Sequence, residues 1–254
     1  LGGAIWLRDK VGMRFHDELT WYEGHSRVRA LRAEGDGARF AETLLEAAEK
    51  RGARILYTTR ATRLIRGEGG RVSGVEAERG GRKLVYRSSH GVILATGGFG
   101  ANVQMRQAYK GKWPSLDASV LTSNSPGSTG DGIAMAEAVG AGLVDMEYIQ
   151  LYPVNNPATG NLYLLDYARL NDNAILVNRE GRRFVNERAT RDVIAAAALR
   201  QSAGIAYEII DSGTARRMRL EELYAAEIER CREQGVLVKG GLGECLTFFG
   251  LPAS

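Results

Sequence analysis

Residues 171–192 read NDNAILVNREGRRFVNERATRD, and this stretch decides how the second half of the chain folds. The run AILV at 174–177 is short, apolar and partly β-branched, so it predicts a buried strand. A polar turn ending in Gly leads to a second short strand over 182–185. Thr190 is a preferred N-cap residue, and the alanine-rich sequence after it predicts a helix. The stretch therefore predicts a hairpin followed by a helix.

Arg191 falls in the first turn of this predicted helix. The N-terminal end of a helix carries a partial positive charge, so a cation there is unfavourable unless a carboxylate or an anionic ligand lies close. One interpretation is therefore a functional arginine. The alternative is a solvated arginine on an alanine-rich helix, and residue chemistry alone favours that alternative.

The composition is that of an ordinary globular protein with room for a sizeable core. The 254 residues are 44% hydrophobic and 25% charged, with 32 Gly and 5 Pro, which favours tight turns over disorder. The net charge is +4, but the basic residues are scattered, so no nucleic-acid partner is expected. Cys231 and Cys245 have no neighbouring His and no metal-ligand spacing, so no metal site is expected.

The sequence contains no visible targeting signal and no transmembrane segment. It begins at Leu1 and ends at Leu-Pro-Ala-Ser, so we expect an internal segment of a longer protein. Localisation in the cytoplasm or in the periplasm therefore stays open.

The first half of the chain alternates helix and strand patterns. Residues 38–50 have apolar positions at helical spacing, and 53–59 read as a strand. Between 60 and 90, short strand patterns separated by Gly-rich turns predict a small antiparallel meander. This order indicates an α/β layer into which the meander is inserted.

A glycine-rich turn follows the apolar strand pattern at 92–94 and opens a predicted helix over 101–109. This is a geometry in which backbone N–H groups can approach a phosphate or a nucleotide, although the turn is not a G-x-G-x-x-G fingerprint. The candidate contacts in the turn are Ala95, Thr96, Gly97 and Gly98.

A long polar loop at 122–132 leads directly into the next predicted helix. It is either a flexible surface loop or a loop that contacts a ligand, and its length and small residues favour the second interpretation. The candidate contacts in this loop are Thr122, Asn124, Gly130 and Asp131.

Motifs along most of the chain resemble those of one family, the FAD-dependent fumarate reductase/succinate dehydrogenase flavoproteins, in its flavocytochrome c-like branch. The matching stretches, in family order, are GHSRVRA (24–30), ILATGGFGAN (93–102), SPGSTGDGIAMAEAVGA (125–141), DMEYIQLYP (145–153), NAILVNREGRRFVNE (173–187) and TRD (190–192).

The resemblance implies an α/β chain (α+β overall) with two parts. Residues 1–145 would be the central part of a Rossmann-like FAD-binding domain without its N-terminal dinucleotide fingerprint. Residues 146–254 would be an α+β capping domain, incomplete at its C-terminus, that closes over the substrate. FAD would be bound non-covalently, with Ala61 near the adenine, the turn at 95–98 near the dinucleotide and the loop at 122–132 beside the flavin. We expect the isolated segment to bind FAD weakly and to be inactive.

The resemblance also implies a reaction, the reduction of the C=C bond of a small α,β-unsaturated carboxylate. Hydride would come from flavin N5, and the proton from the Arg of the TRD motif, here Arg191. The family relays protons to this Arg through an acidic residue and an Arg three positions later, and Asp166 and Arg169 have that spacing. The external electron donor stays unknown.

Two positions depart from the fumarate reductases. Tyr152 stands where they have His, and Leu165 stands where they have a Thr that contacts a substrate carboxylate, so one hydrogen-bond donor is lost. Tyr152 and Asp166 are similar to the urocanate reductase branch, where they suit an imidazole-bearing acrylate. Two alternatives remain: dehydrogenation of a saturated acid or a 3-ketosteroid-type substrate by an FAD enzyme, and a non-catalytic fragment.

Overall fold

The structure, a computed structural model, describes residues 2–20, 26–35, 37–160, 166, 169 and 174–252. It divides into two compact units, which are formed by residues 1–61 with 76–85 and by residues 62–75 with 86–254. The architecture mixes helices with small sheets, as the sequence predicted. The functional division at residue 145 stays a prediction. No helix among the described residues is long and apolar enough to cross a membrane.

The first unit begins with a short helix and contains one longer helix that matches a prediction. The elements are α1 (Gly2–Trp6), β1 (Phe15–Thr20), β2 (Ala30–Ala33) and α2 (Gly37–Glu49). Strands β1 and β2 are antiparallel, with Leu19 opposite Leu31. Helix α2 confirms the predicted helix over 38–50, and the Arg51 guanidinium donates to the Ala47 carbonyl at 2.8 Å in its last turn.

The predicted strand over 53–59 is not formed. This segment is irregular, and Ile55, Leu56 and Tyr57 are exposed. A strand needs a neighbour that accepts and donates its backbone hydrogen bonds, and no described strand pairs with this segment.

The predicted meander is present as a three-stranded sheet in the order β3-β4-β5. Its strands are Arg60–Arg66, Val72–Arg79 and Arg82–Arg87. Gly80 and Gly81 join β4 to β5 with φ of +54° and +75°, the left-handed values that a tight two-residue hairpin requires.

The glycine-rich turn is followed by α3 (Val103–Ala108), and the polar loop by α4 (Asp131–Glu137). Helix α3 begins where the Asn102 side chain accepts from the Met105 N–H at 3.0 Å. The predicted strand at 92–94 is not formed, and the Ile93 side chain is 92% exposed. As at 53–59, no described strand offers it a hydrogen-bonding edge.

The last part of the chain packs helices around one two-stranded sheet. Strand β6 (Ala174–Val177) pairs with β7 (Tyr207–Ile210) in an antiparallel register that sets Leu176 opposite Glu208. Ala174 and Leu220 form the centre of a small hydrophobic cluster there. The helices are α5 (Arg191–Leu199), α6 (Ser212–Arg217), α7 (Leu220–Leu223), α8 (Ala225–Glu233) and α9 (Leu242–Phe249).

Residues 212–233 form three short helices, α6 to α8, and Arg219 adopts a left-handed φ of +53° between the first two. One expectation for this region needs correction. The predicted hairpin partner of β6 at 182–185 makes a single bridge, from Val177 to Arg183. Strand β7 pairs with β6 instead, and the Leu176 N–H donates to the Glu187 carboxylate at 3.0 Å. That carboxylate takes the place of a strand carbonyl, so the second strand cannot extend.

Candidate active site

The glycine-rich turn and the polar loop lie side by side in the second unit. The Gly130 N–H donates to the Gly98 carbonyl at 3.1 Å, and the Ala101 N–H donates to the Ser128 carbonyl at 3.0 Å. The structure therefore brings most of the predicted cofactor contacts together. They are Ala95, Thr96, Gly97, Gly98, Gly130 and Asp131.

The two segments approach each other so closely that only glycine fits at the contacts. A Cβ on Gly132 would collide with the Thr96 side chain, and a Cβ on Gly130 would lie 2.9 Å from the Phe99 Cβ. Gly130 also has a φ of +78°, a conformation that disfavours side chains. These positions hold the turn and the loop at a fixed distance.

A cleft of about 370 Å³ opens beside the turn. Its lining is mainly apolar and includes Leu94, Ile133, Leu143 and Met146. Ala95, Thr96 and Gly97 are exposed and line it, and no N–H group of residues 95–98 donates to the backbone carbonyl of a described residue. An apolar wall beside such N–H groups fits a flat ring system that carries phosphate oxygens.

The Gly132 contact gives a direct test of this close packing. We expect Gly132→Ala to lower the free energy of unfolding by about 1–3 kcal/mol, the usual cost of overpacking, because the new Cβ meets the Thr96 side chain. Urea unfolding measures the change. Gly243→Ala is the matched control, since a Cβ on this α9 glycine meets nothing within 4 Å. Equal stability of the two variants would show that the turn and the loop do not pack as described.

A buried ion pair forms the second group of predicted site residues. The side chains of Asp166 and Arg169 are both 0% exposed. The guanidinium holds the carboxylate with two hydrogen bonds, Nε to Oδ1 at 2.6 Å and Nη2 to Oδ2 at 2.9 Å. Two-bond arginine–carboxylate pairs fix both side chains in orientation. The predicted relay pair is therefore in contact.

Tyr152 connects this pair to Arg191. The phenol donates to Asp166 Oδ2 at 2.5 Å, and the Arg191 guanidinium lies 5.1 Å from the centre of the Tyr152 ring. Burial, then the negative charge of Asp166 and the hydrogen bond to it, raise the pKa of Tyr152. The phenol therefore stays a donor, and the ring face stabilises the Arg191 cation.

Arg191 is the first residue of α5 and is exposed, with Thr190 as the N-cap. The predicted position in the first helical turn is confirmed. Among the described residues, however, no carboxylate lies within ion-pair distance of it. Its contact among the described residues is the aromatic ring of Tyr152, and its guanidinium N–H groups suit an anionic ligand.

Glu187 supports the ion pair from the other side. Its carbonyl accepts from Arg169 Nη1 at 2.7 Å, while its carboxylate accepts from Arg183 at 3.0 and 2.6 Å. Burial alone would raise the pKa of Glu187, but the bonds from Arg183 and from the Leu176 N–H lower it to about 2. The carboxylate is therefore ionised and fixes the backbone that contacts Arg169.

Not every predicted site residue joins these two groups. Leu165 lies outside the described residues. Ala61 is half-buried in β3 and belongs to the first unit. By contrast, Asn124 does lie against the end of the glycine-rich turn, because a Cβ on Gly100 would collide with its side chain, and its amide donates to the Thr122 hydroxyl at 3.3 Å. The described residues include no group of three or more His, Cys, Asp or Glu side chains that could hold a metal ion.

Sequence reasoning missed two carboxylates, Glu187 and Glu208. The sequence does indicate Glu208, since it is the one acidic residue in the otherwise uncharged strand of residues 207–210. A charged residue is seldom buried in a strand unless it has a partner. Glu187 carried none, because nothing in the sequence links it to the backbone of β6.

Comparison with known proteins agrees with the geometry. Residues 3–233 match the family of the FAD binding domain. The chain is 36% identical over 257 residues to the urocanate reductase of Eggerthella lenta, covering 100% of this chain and 42% of that protein. It is also 36% identical over 256 residues to the NADH:acrylate oxidoreductase of Vibrio harveyi, covering 97% of this chain and 24% of that protein.

One solved structure shows the same fold over nearly the whole chain. It is the open conformation of a flavocytochrome c3 fumarate reductase, with a TM-score of 0.78 and 26% identity. The match covers 98% of this chain and 42% of that one. The chain thus spans less than half the length of each of these three proteins.

Proposed function

The chain belongs to the FAD-binding domain family of flavoproteins, and from that membership we propose that it is part of an FAD-dependent reductase of α,β-unsaturated carboxylates. Relatives whose names include urocanate reductase and NADH:acrylate oxidoreductase support this reaction class. In the proposal, residues 1–145 contribute to the cofactor domain and 146–254 to a capping domain over the substrate.

Bound FAD would supply the hydride for one alkene carbon. The turn at Ala95–Gly98 would bind it through backbone N–H groups, and the apolar wall of the cleft would hold the ring system. The loop with Thr122, Asn124, Gly130 and Asp131 would lie beside the flavin, with Ala61 near the adenine. This arrangement is supported by the close packing of the turn against the loop.

In the proposed reaction, Arg191 protonates the second alkene carbon. An arginine is a weak acid, so it can act only if its proton is replaced at once and its charge stabilises the developing carbanion. The single observation that carries the proposal is the chain of contacts Arg191–Tyr152–Asp166–Arg169. It links an exposed cation to a fully buried acid–base pair.

The substrate is proposed to be an acrylate with a polar ring or a second carboxylate. The exposed Arg191 guanidinium suits the carboxylate of the acid. The Tyr152 phenol donates its proton to Asp166 and lies beside Arg191, so its oxygen would accept from a ring N–H, as in urocanate. A fumarate-specific site is less well supported, since Tyr152 replaces the His of that group and Leu165 replaces its Thr.

A panel of acids tests this assignment. With a reduced viologen as electron donor, the full-length, FAD-loaded protein that contains this chain should reduce urocanate or another aryl-acrylate at least about tenfold faster than fumarate, the preference expected when one buried donor is unpaired. Dye oxidation under anaerobic conditions measures each rate. Tyr152→His is the matched variant and should move the preference toward fumarate. Failure to reduce any of these acids would contradict the proposed reaction.

A further inference from the structure

Glu208 is a carboxylate in the centre of β7. Its Oε1 is shielded from solvent and has no hydrogen-bond partner among the described residues. Strand pairing sets it opposite Leu176, and the facing strand β6 contributes only Ala, Ile, Leu and Val side chains. Removing a charged carboxylate from water without full compensation is costly. Its position therefore needs an explanation beyond strand packing.

Glu208 lies against the buried relay pair. The Arg169 backbone N–H donates to its carboxyl group, and the charges of Asp166 and Arg169 both act on it. Glu187 and Arg183, which pair with each other, lie beside the facing strand β6, since the Glu187 carboxylate accepts from the Leu176 N–H. Two carboxyl groups, Asp166 and Glu208, therefore lie beside one buried guanidinium.

The protonation state of Glu208 follows from this position. Burial, and next the negative charge of Asp166, raise the pKa of Glu208 to about 8, although Arg169 acts in the opposite direction. The side chain is therefore neutral near pH 7 and becomes charged in mildly alkaline solution. Below that pH, Glu208 adds no negative charge beside Arg169.

We propose that Glu208 is a positioning residue that switches the proton relay off in alkaline solution, an inference that rests on the proposed function. The neutral acid leaves Arg169 fully paired with Asp166. When Glu208 releases its proton to the solvent, a second negative charge competes for Arg169. The added charge also raises the proton affinity of the cluster, so Arg191 becomes a poorer acid toward the substrate.

The dependence of turnover on pH tests the switch. In the full-length, FAD-loaded protein that contains this chain, kcat should fall about tenfold through an alkaline step, the effect of raising the pKa of the relay by about one unit. Glu208→Gln mimics the neutral acid, so it should keep the turnover at neutral pH and lose the step. KM should not change, because Glu208 acts through Arg169 and does not contact substrate. Glu233→Gln, an exposed change on α8, should keep the wild-type profile.

Infrared spectroscopy gives a readout that needs no turnover. A protonated carboxyl group has a carbonyl stretch separate from that of a carboxylate, so the wild-type protein should lose one such band as the pH rises through about 8. The band should be absent from Glu208→Gln. If that variant does not fold, the wild-type titration decides alone, and a spectrum without a carboxyl group that titrates there overturns the inference.

The outcomes separate this inference from the proposed function. A protein that reduces none of the acids removes the switch together with the reaction. An active protein whose profile is flat on the alkaline side, or whose Glu208→Gln variant keeps the step, overturns the switch alone. Loss of the step with unchanged neutral turnover supports it.

Discussion

Arg191→Lys is expected to lower kcat about 10²–10⁴-fold, the range for loss of a positioned acid, while the affinity for the carboxylate falls much less. Lysine keeps the positive charge, so it still attracts the acid. It loses the planar guanidinium that stacks on Tyr152 and presents several N–H donors at fixed angles. Single-turnover reoxidation of reduced flavin measures the chemical step, and substrate titration of the oxidised protein measures binding.

Arg200→Lys is the matched control for this prediction. Arg200 is the exposed C-cap of α5, the helix that Arg191 begins, so the same change tests for general effects on the helix. It should leave kcat unchanged. If Arg191→Lys also keeps a near-normal rate, the proton comes from another group and the assignment of Arg191 is wrong. A loss confined to KM would make Arg191 a binding residue only.

Asp166→Ala is expected to destabilise the protein by about 3–5 kcal/mol, because it leaves the Arg169 guanidinium buried without its partner. Both side chains are fully inaccessible, so water cannot replace the lost hydrogen bonds. Denaturant unfolding at neutral pH measures the change. The double variant Asp166→Ala/Arg169→Met should be more stable than the single one, because it removes the stranded charge as well.

Glu222→Ala supplies the comparison on the surface. Glu222 pairs with Arg219 at the exposed surface, and exposed pairs contribute little to stability. The free energy of unfolding of this variant should therefore be close to that of the wild type. A result in which Asp166→Ala behaves like Glu222→Ala would mean that the pair at 166 and 169 is solvated. The proposed relay would then lose the dry surroundings that make its hydrogen bonds strong.

Local signals in the sequence predicted several elements correctly. Helical spacing located α2, and glycine pairs located the meander and the turn after residue 94. Helix α5 begins after Thr190 as predicted, although the Thr190 side chain makes no capping hydrogen bond. These signals worked because periodicity and left-handed backbone depend on residues within about one helical turn of each other. The family motifs added the relay spacing of Asp166 and Arg169, which the structure shows in contact.

The strand predictions that failed did so for one physical reason. The segments at 53–59 and 92–94 have the residues of strands, but a strand exists only where another strand accepts its hydrogen bonds. Likewise, residues 182–185 do not pair along β6, because β7 pairs with it and the Glu187 carboxylate accepts from the Leu176 N–H. Pairing partners are distant in sequence, so no local pattern could report them.

The sequence by itself determined which residues carry the proposed chemistry: the glycines that allow close approach, the arginine at the start of α5 and the acid–arginine spacing before it. Only the tertiary structure decided their electrostatic state. Burial made Asp166–Arg169 a dry ion pair, set Tyr152 between it and Arg191, and placed Glu208 where its charge is costly. Charge and hydrogen-bonding capacity belong to each residue, whereas solvation depends on what the fold brings around it.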